Sequence, residues 1–186
     1  MFVQTEITPN PNALKFIPGK DVSKSGSFEI TKKEDVDNEL VRNLLSINGV
    51  TGIFLGLDFI SVNKEQNIEW EDIKHIVISL INEFYSSGKE FVIDKDLKDE
   101  IDSTSNFIEI EKKIIKILDT KIRPAVAKDG GDIKFKEFKN GIVKVQLQGS
   151  CSGCPSSVMT LKQGVQNLLC HYIPDVKEVV AVEENT

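Results

Sequence analysis

Residues 129–157 read DGGDIKFKEFKNGIVKVQLQGSCSGCPSS, and their pattern decides the architecture of the second half of the chain. Ile133 to Phe138 leads into Asn140-Gly141, two residues that accept the positive φ of a type I′ hairpin turn. The return strand alternates Val143, Val145 and Leu147 with Lys144, Gln146 and Gln148, the pattern of a strand with one apolar and one polar face. Upstream, Asp129-Gly130-Gly131-Asp132 lacks the Lys-Ser/Thr of a phosphate cradle and the ligand run of an EF-hand, so it reads as a helix-to-strand turn. Before it, Ile110, Ile114, Ile117, Leu118 and Lys121 make an amphipathic helix expected to stop near Arg123-Pro124. Downstream, Val158, Leu161, Val165, Leu168 and Leu169 define a long helix from Pro155 that ends before Pro174, and Val176 to Val182 is a closing strand.

The first half has the same mixed character. Phe2 to Ile7, Ala13 to Ile17 and Ser27 to Thr31 read as strands, with Thr8-Pro9-Asn10-Pro11-Asn12 as a turn between the first two. Val36, Leu40, Val41, Leu44 and Ile47 recur at helical spacing, with Glu34 and Asp35 expected in the first turn. Val50 to Leu55 and Phe59 to Asn63 read as strands around Gly56-Leu57-Asp58. A second helix carries Trp70, Ile73, Val77, Leu80, Ile81 and Phe84 on one face. Residues 91–106 then hold five acids and two lysines, the composition of a solvated tether. The fold class is therefore α+β, in two small mixed domains: 1–88, an acidic linker over 89–106, and 107–186. The last of these carries a three-stranded sheet, hairpin included, and two helices.

Composition removes several functions. The 23 basic and 29 acidic residues leave a net charge of −6, and no basic block exceeds two residues, which argues against nucleic-acid binding. Apolar runs stay far short of the roughly 18 residues of a membrane span. Met1-Phe2-Val3-Gln4-Thr5-Glu6 has neither the cationic nor the apolar region of a signal peptide. Three cysteines, two of them three residues apart, suit a reducing compartment and a metal or redox site better than a disulfide framework.

That pair, Cys151 and Cys154, sits before Pro155, a residue favoured at the first helical position. Both sulfurs are thus expected to face the positive end of the helix dipole, which can bring a thiol from about 8.5 to about 7. Three chemistries remain open for a lone Cys-x-x-Cys. A thiol–disulfide oxidoreductase would normally place it after a strand of a βαβ unit, whereas the strand here belongs to a hairpin. A closed zinc site needs four ligands. Cys170 and His171 are the nearest candidates, yet along one helix they lie about 24 Å from Cys154. An iron–sulfur cubane also takes four thiolates, which two chains related by a two-fold axis would supply between them. Cys170, beside Leu168 and Leu169, reads better as a packed thiol than as a ligand. His75, Lys112, Lys113 and Lys116 read as solvated, and Trp70 as core.

With these residues in view, 107–186 resembles the NifU-like C-terminal domain. The matching run is Ile122-Arg123-Pro124, Asp129 to Asp132, Gly141-Ile142-Val143 and Leu147 to Ser157. Residues 1–88 are similar to the N-terminal domain of NFU-type proteins, through Thr8 to Phe16, Gly56 to Ile60 and Trp70. The resemblance implies an iron–sulfur cluster scaffold or carrier, not an enzyme. Such a protein holds a [4Fe–4S] cluster between the two subunits of a homodimer through Cys151 and Cys154 of each chain. It receives the cluster from an upstream donor and passes it to apo-proteins, in a bacterial cytoplasm or, for a processed organellar form, in the mitochondrial matrix. The first domain, which has no cysteine, is expected to be a docking module.

Overall fold

The computed structural model describes residues 2–93, 108–152 and 155–182, and for 155–157 the backbone only. The first domain is a five-stranded antiparallel sheet in the order β1-β2-β5-β4-β3, built from β1 (Gln4–Ile7), β2 (Ala13–Ile17), β3 (Phe28–Ile30), β4 (Val50–Leu55) and β5 (Ile60–Lys64). Two helices, α1 (Glu39–Leu44) and α2 (Trp70–Ser86), cover one face of it. Leu14, Phe16, Ile53, Leu55, Ile60 and Val62 from the sheet meet Leu40, Val41, Leu44, Val77 and Ile81 there, all buried. The pleat sends alternate side chains to the other face, so Phe54, Ser61 and Asn63 point away from the helices.

α1 begins later than its apolar spacing predicts. Val36 is extended, and the Asn38 side chain accepts a hydrogen bond from Val41 N at 3.1 Å, so the helix starts after that cap rather than at Glu34 and Asp35. Residues 89–93, assigned to the linker from composition, lie against this domain. Val92 is buried, its N–H donates to the Val22 carbonyl, and its own carbonyl accepts from Asn38 Nδ2. The remaining linker residues, 94–106, fall outside the described residues.

The second domain begins with α3 (Glu109–Ile117), which does not stop at Arg123-Pro124. It widens into a π turn (Leu118–Ile122) and continues as α4 (Arg123–Lys128). The wider turn accommodates the missing proline N–H and the bulk of its ring, which would break a regular helix interior. A three-stranded sheet follows, β6 (Gly131–Lys139), β7 (Ile142–Gly149) and β8 (Glu178–Ala181), in the order β6-β7-β8. Asn140 (φ 55°) and Gly141 (φ 81°) turn the hairpin, and a bulge between Phe135 and Glu137 shifts its register. β8 pairs parallel to β7, so α5 (Pro155–Tyr172) is the crossover between them. Ile114, Leu118, Ile122, Val126, Ile133, Val143, Val145, Val165 and Leu169 form the second core. Among the described residues no helix is long and apolar enough to cross a membrane.

The free face of the first sheet packs on the polar face of β7. Gln146 and Gln148, whose alternation marks an outward face, are only 4% and 6% exposed. Phe54 reaches Gly149, and the Ser61 hydroxyl donates to the Gly130 carbonyl at 2.7 Å. The chain end of β7, where the cysteine loop starts, therefore lies at the junction of the domains.

Candidate metal centre

β7 ends at Gly149, whose φ of +69° lets the chain turn sharply. The loop 149–152 folds back on the start of β6. Ser150 N donates to the Gly130 carbonyl, the Ser150 hydroxyl to the Asp129 carbonyl, and Ser152 N to the Gly149 carbonyl. This geometry turns the Cys151 side chain inward, where it is 6% exposed and belongs to the second core. Gly131 makes room for it, since a Cβ there would stand 2.7 Å from Cys151 Sγ and 2.5 Å from the Gln148 carbonyl.

The orientation overturns the expected electrostatics of this sulfur. Burial pushes the Cys151 thiol up to about 11; the Ser150 hydroxyl, 4.0 Å from Sγ, opposes this, and the Asp129 and Asp132 carboxylates add to it. Desolvation is the largest cause of the shift, and α5 begins only at Pro155, four residues further on. Cys151 also lines a cavity of about 510 Å³, walled by Ile122 and Val126 on one side and Leu161 and Val165 on the other, with Pro9 of the first domain also in its lining.

Cys154 lies outside the described residues, so the structure places one of the two ligands expected from the motif. Cys170 is half-buried near the end of α5 and packs against the second core, as a structural thiol does. His171 stacks edge-on to Tyr172, and His75 is exposed on α2. Among the described residues no three His, Cys, Asp or Glu side chains gather as a metal site.

Sequence reasoning did not single out the polar residues of the first domain that grip this loop: Asn10, Glu29 and Asn63. Asn10 lies in the Thr8 to Asn12 turn, but nothing local signals a partner in the other domain, 140 residues away.

Asp132, 5% exposed, anchors the same corner. Arg123 holds it through Nε–Oδ1 at 2.8 Å and Nη2–Oδ2 at 2.7 Å, and the Ser27 hydroxyl of the first domain donates to Oδ2. Burial would raise its pKa, but the bonds from Arg123, Ser27 and Ile133 N together hold the carboxyl below its ordinary value. A carboxylate so lowered adds stability above the ordinary carboxylate range, and loses it as pH falls through the folded-state value. Asp132→Asn is therefore expected to flatten the acid limb of the stability–pH curve below pH ~4, read by urea unfolding. An unchanged acid limb would show that the pair carries no linkage.

A family model described as "NifU-like domain" matches residues 114–180, and one described as "Scaffold protein Nfu/NifU N terminal" matches residues 3–88. The chain is 43% identical over its whole length to a Homo sapiens protein named "NFU1 iron-sulfur cluster scaffold homolog, mitochondrial", covering 73% of that protein. It is 42% identical to the Drosophila erecta protein of the same name, matching 98% of this chain and 65% of that protein. "NifU-like protein 4, mitochondrial" of Arabidopsis thaliana is 41% identical, with 96% of this chain and 65% of that protein aligned.

Proposed function

Because the chain belongs to the NFU family of iron–sulfur cluster scaffold proteins, we propose that it carries a [4Fe–4S] cluster shared between two copies of itself, with Cys151 and Cys154 of each chain as ligands. The observation that carries this reading is the position of Cys151, on a short loop before a long helix and at the wall of a cavity. A cubane takes four thiolates. Each chain offers one close pair in this motif, and Cys170 lies far down α5, so a second chain supplies the rest. The cluster is cargo, and a two-fold site lets incoming thiolates of an apo-protein displace these sulfurs one at a time by ligand exchange, with no catalytic group required. An upstream donor loads it. The relatives' names say mitochondrial, which favours the organellar form over a bacterial cytoplasm.

The oxidoreductase alternative keeps some structural ground, because β7, α5 and β8 form a βαβ unit with the cysteine loop directly after β7; family membership sets it second. The raised Cys151 thiol does not separate the two readings, since the thiolate is both the attacking species of a redox pair and the form that ligates a metal. The test is anaerobic reconstitution with iron and sulfide, followed by light scattering and iron analysis. The expected product is a brown dimer with about four irons per pair of chains. A metal-loaded monomer with all ligands from one chain would overturn the reading.

A further inference from the structure

The first domain does more than lie beside the cysteine loop; its side chains bond the polar groups of that loop in turn. Glu29 Oε1 accepts from Gly149 N at 3.0 Å and from the Ser152 hydroxyl at 3.3 Å. Asn63 Nδ2 donates to the Gly149 carbonyl at 3.3 Å. Asn10, 6% exposed, donates from Nδ2 to the Ser150 carbonyl at 3.1 Å and the Ser152 carbonyl at 3.5 Å, bracketing Cys151 on both sides. Three residues from three separate segments of the first domain thus converge on Gly149, Ser150 and Ser152, the loop residues on either side of Cys151.

The same interface is poorly finished elsewhere. Gln146 and Gln148 are buried beneath the first sheet, yet among the described residues their side-chain carbonyl oxygens have no hydrogen-bond partner, and neither does Asn63 Oδ1. Each such atom has given up its bonds to water without replacement, a net cost to the closed interface. Separation of the domains returns them to water, which offsets part of the bonds lost. Polar, imperfectly satisfied contacts of this kind are the mark of domains that part and rejoin.

We propose that Asn10, Glu29 and Asn63 are positioning residues that latch the first domain onto loop 149–152 and hold Cys151 inward, and that the latch opens for the cluster to enter or leave. The proposal rests on the reading of Cys151 as a cluster ligand. It gives the first domain a task within its own chain: it gates the loop.

Backbone amide exchange of the metal-free full-length chain tests it. Asn10→Asp keeps the oxygen that accepts from Asn12 N, but replaces the donor with a carboxylate facing two carbonyl oxygens. Exchange of amides 149–152 is expected to rise about tenfold or more, while amides of β5 keep their protection. Glu29→Leu should do the same, and Glu29→Gln, which retains an acceptor, should restore the wild-type rate. Iron uptake by Asn10→Asp should be correspondingly faster. If Asn10→Asp loses β5 protection as well, the Glu29 pair decides. Unchanged exchange at 149–152 in Glu29→Leu overturns the latch, as does an opened loop that takes up iron no faster. The ligand reading fails by a different result: should Asn10→Asp open the loop while Cys151→Ala still takes up a cluster, the latch stands and the ligand assignment falls.

Discussion

Cys154→Ala is expected to abolish cluster loading, from about four irons per pair of chains to none, and Cys151→Ala to do the same. Each substitution removes two of four thiolates from a two-fold site, because the lesion is repeated in the partner. No neighbouring side chain replaces them: among the described residues no group of metal-binding side chains gathers near the loop. Cys170→Ala is the control. That thiol packs against the second core, far along α5, so its loss should leave iron content and the visible spectrum unchanged. Retention of the cluster in Cys154→Ala, or its loss in Cys170→Ala alone, would refute the ligand assignment.

The largest stability effect is expected from Gly149→Ala. The backbone there has φ +69°, which costs an L-residue about 1–2 kcal/mol. A Cβ would also stand 2.7 Å from the Gly130 carbonyl oxygen and 2.9 Å from both the Gly131 Cα and Phe54 Cγ. Two of these are backbone atoms of the neighbouring strand and its turn, which cannot rotate away, so overpacking adds about 1–3 kcal/mol. Urea unfolding should show a loss of about 2–5 kcal/mol in all. Gly88→Ala provides the comparison. Its φ is +85°, with nothing within 4 Å of the added carbon, so only the backbone part applies. Equal losses at the two positions would mean that the added carbon is not overpacked at Gly149.

Most elements of both domains were legible in local pattern. Asn140-Gly141 announced its hairpin, Pro155 its helix, and the alternation of Val143, Val145 and Leu147 the core face of β7. What the pattern could not give was the identity of whatever covers a face. Gln146 and Gln148 read only as the polar face of β7, with nothing to say what covers it, and a sheet from the other domain buries them. The same blindness applies at Cys151. A position before a helix implies a field that lowers the thiol, but the loop's bonds to Gly130 and Asp129 turn the sulfur into the core, and desolvation wins. Pro124 misled for a different reason. A proline rule assumes regular α geometry, and five residues of π turn relieve the conflict without ending the helix.

The order of the two domains along the chain also orders events at synthesis. A chain is made from its N-terminus and its domains fold as units in that order. Every strand of the first sheet, and residues as far as Ile93 that pack upon it, leave the ribosome before the segment bearing Cys151. The face bearing Asn10, Glu29 and Asn63 is therefore complete when the sulfurs emerge. The cover of Cys151 is thus made before the residue that it covers.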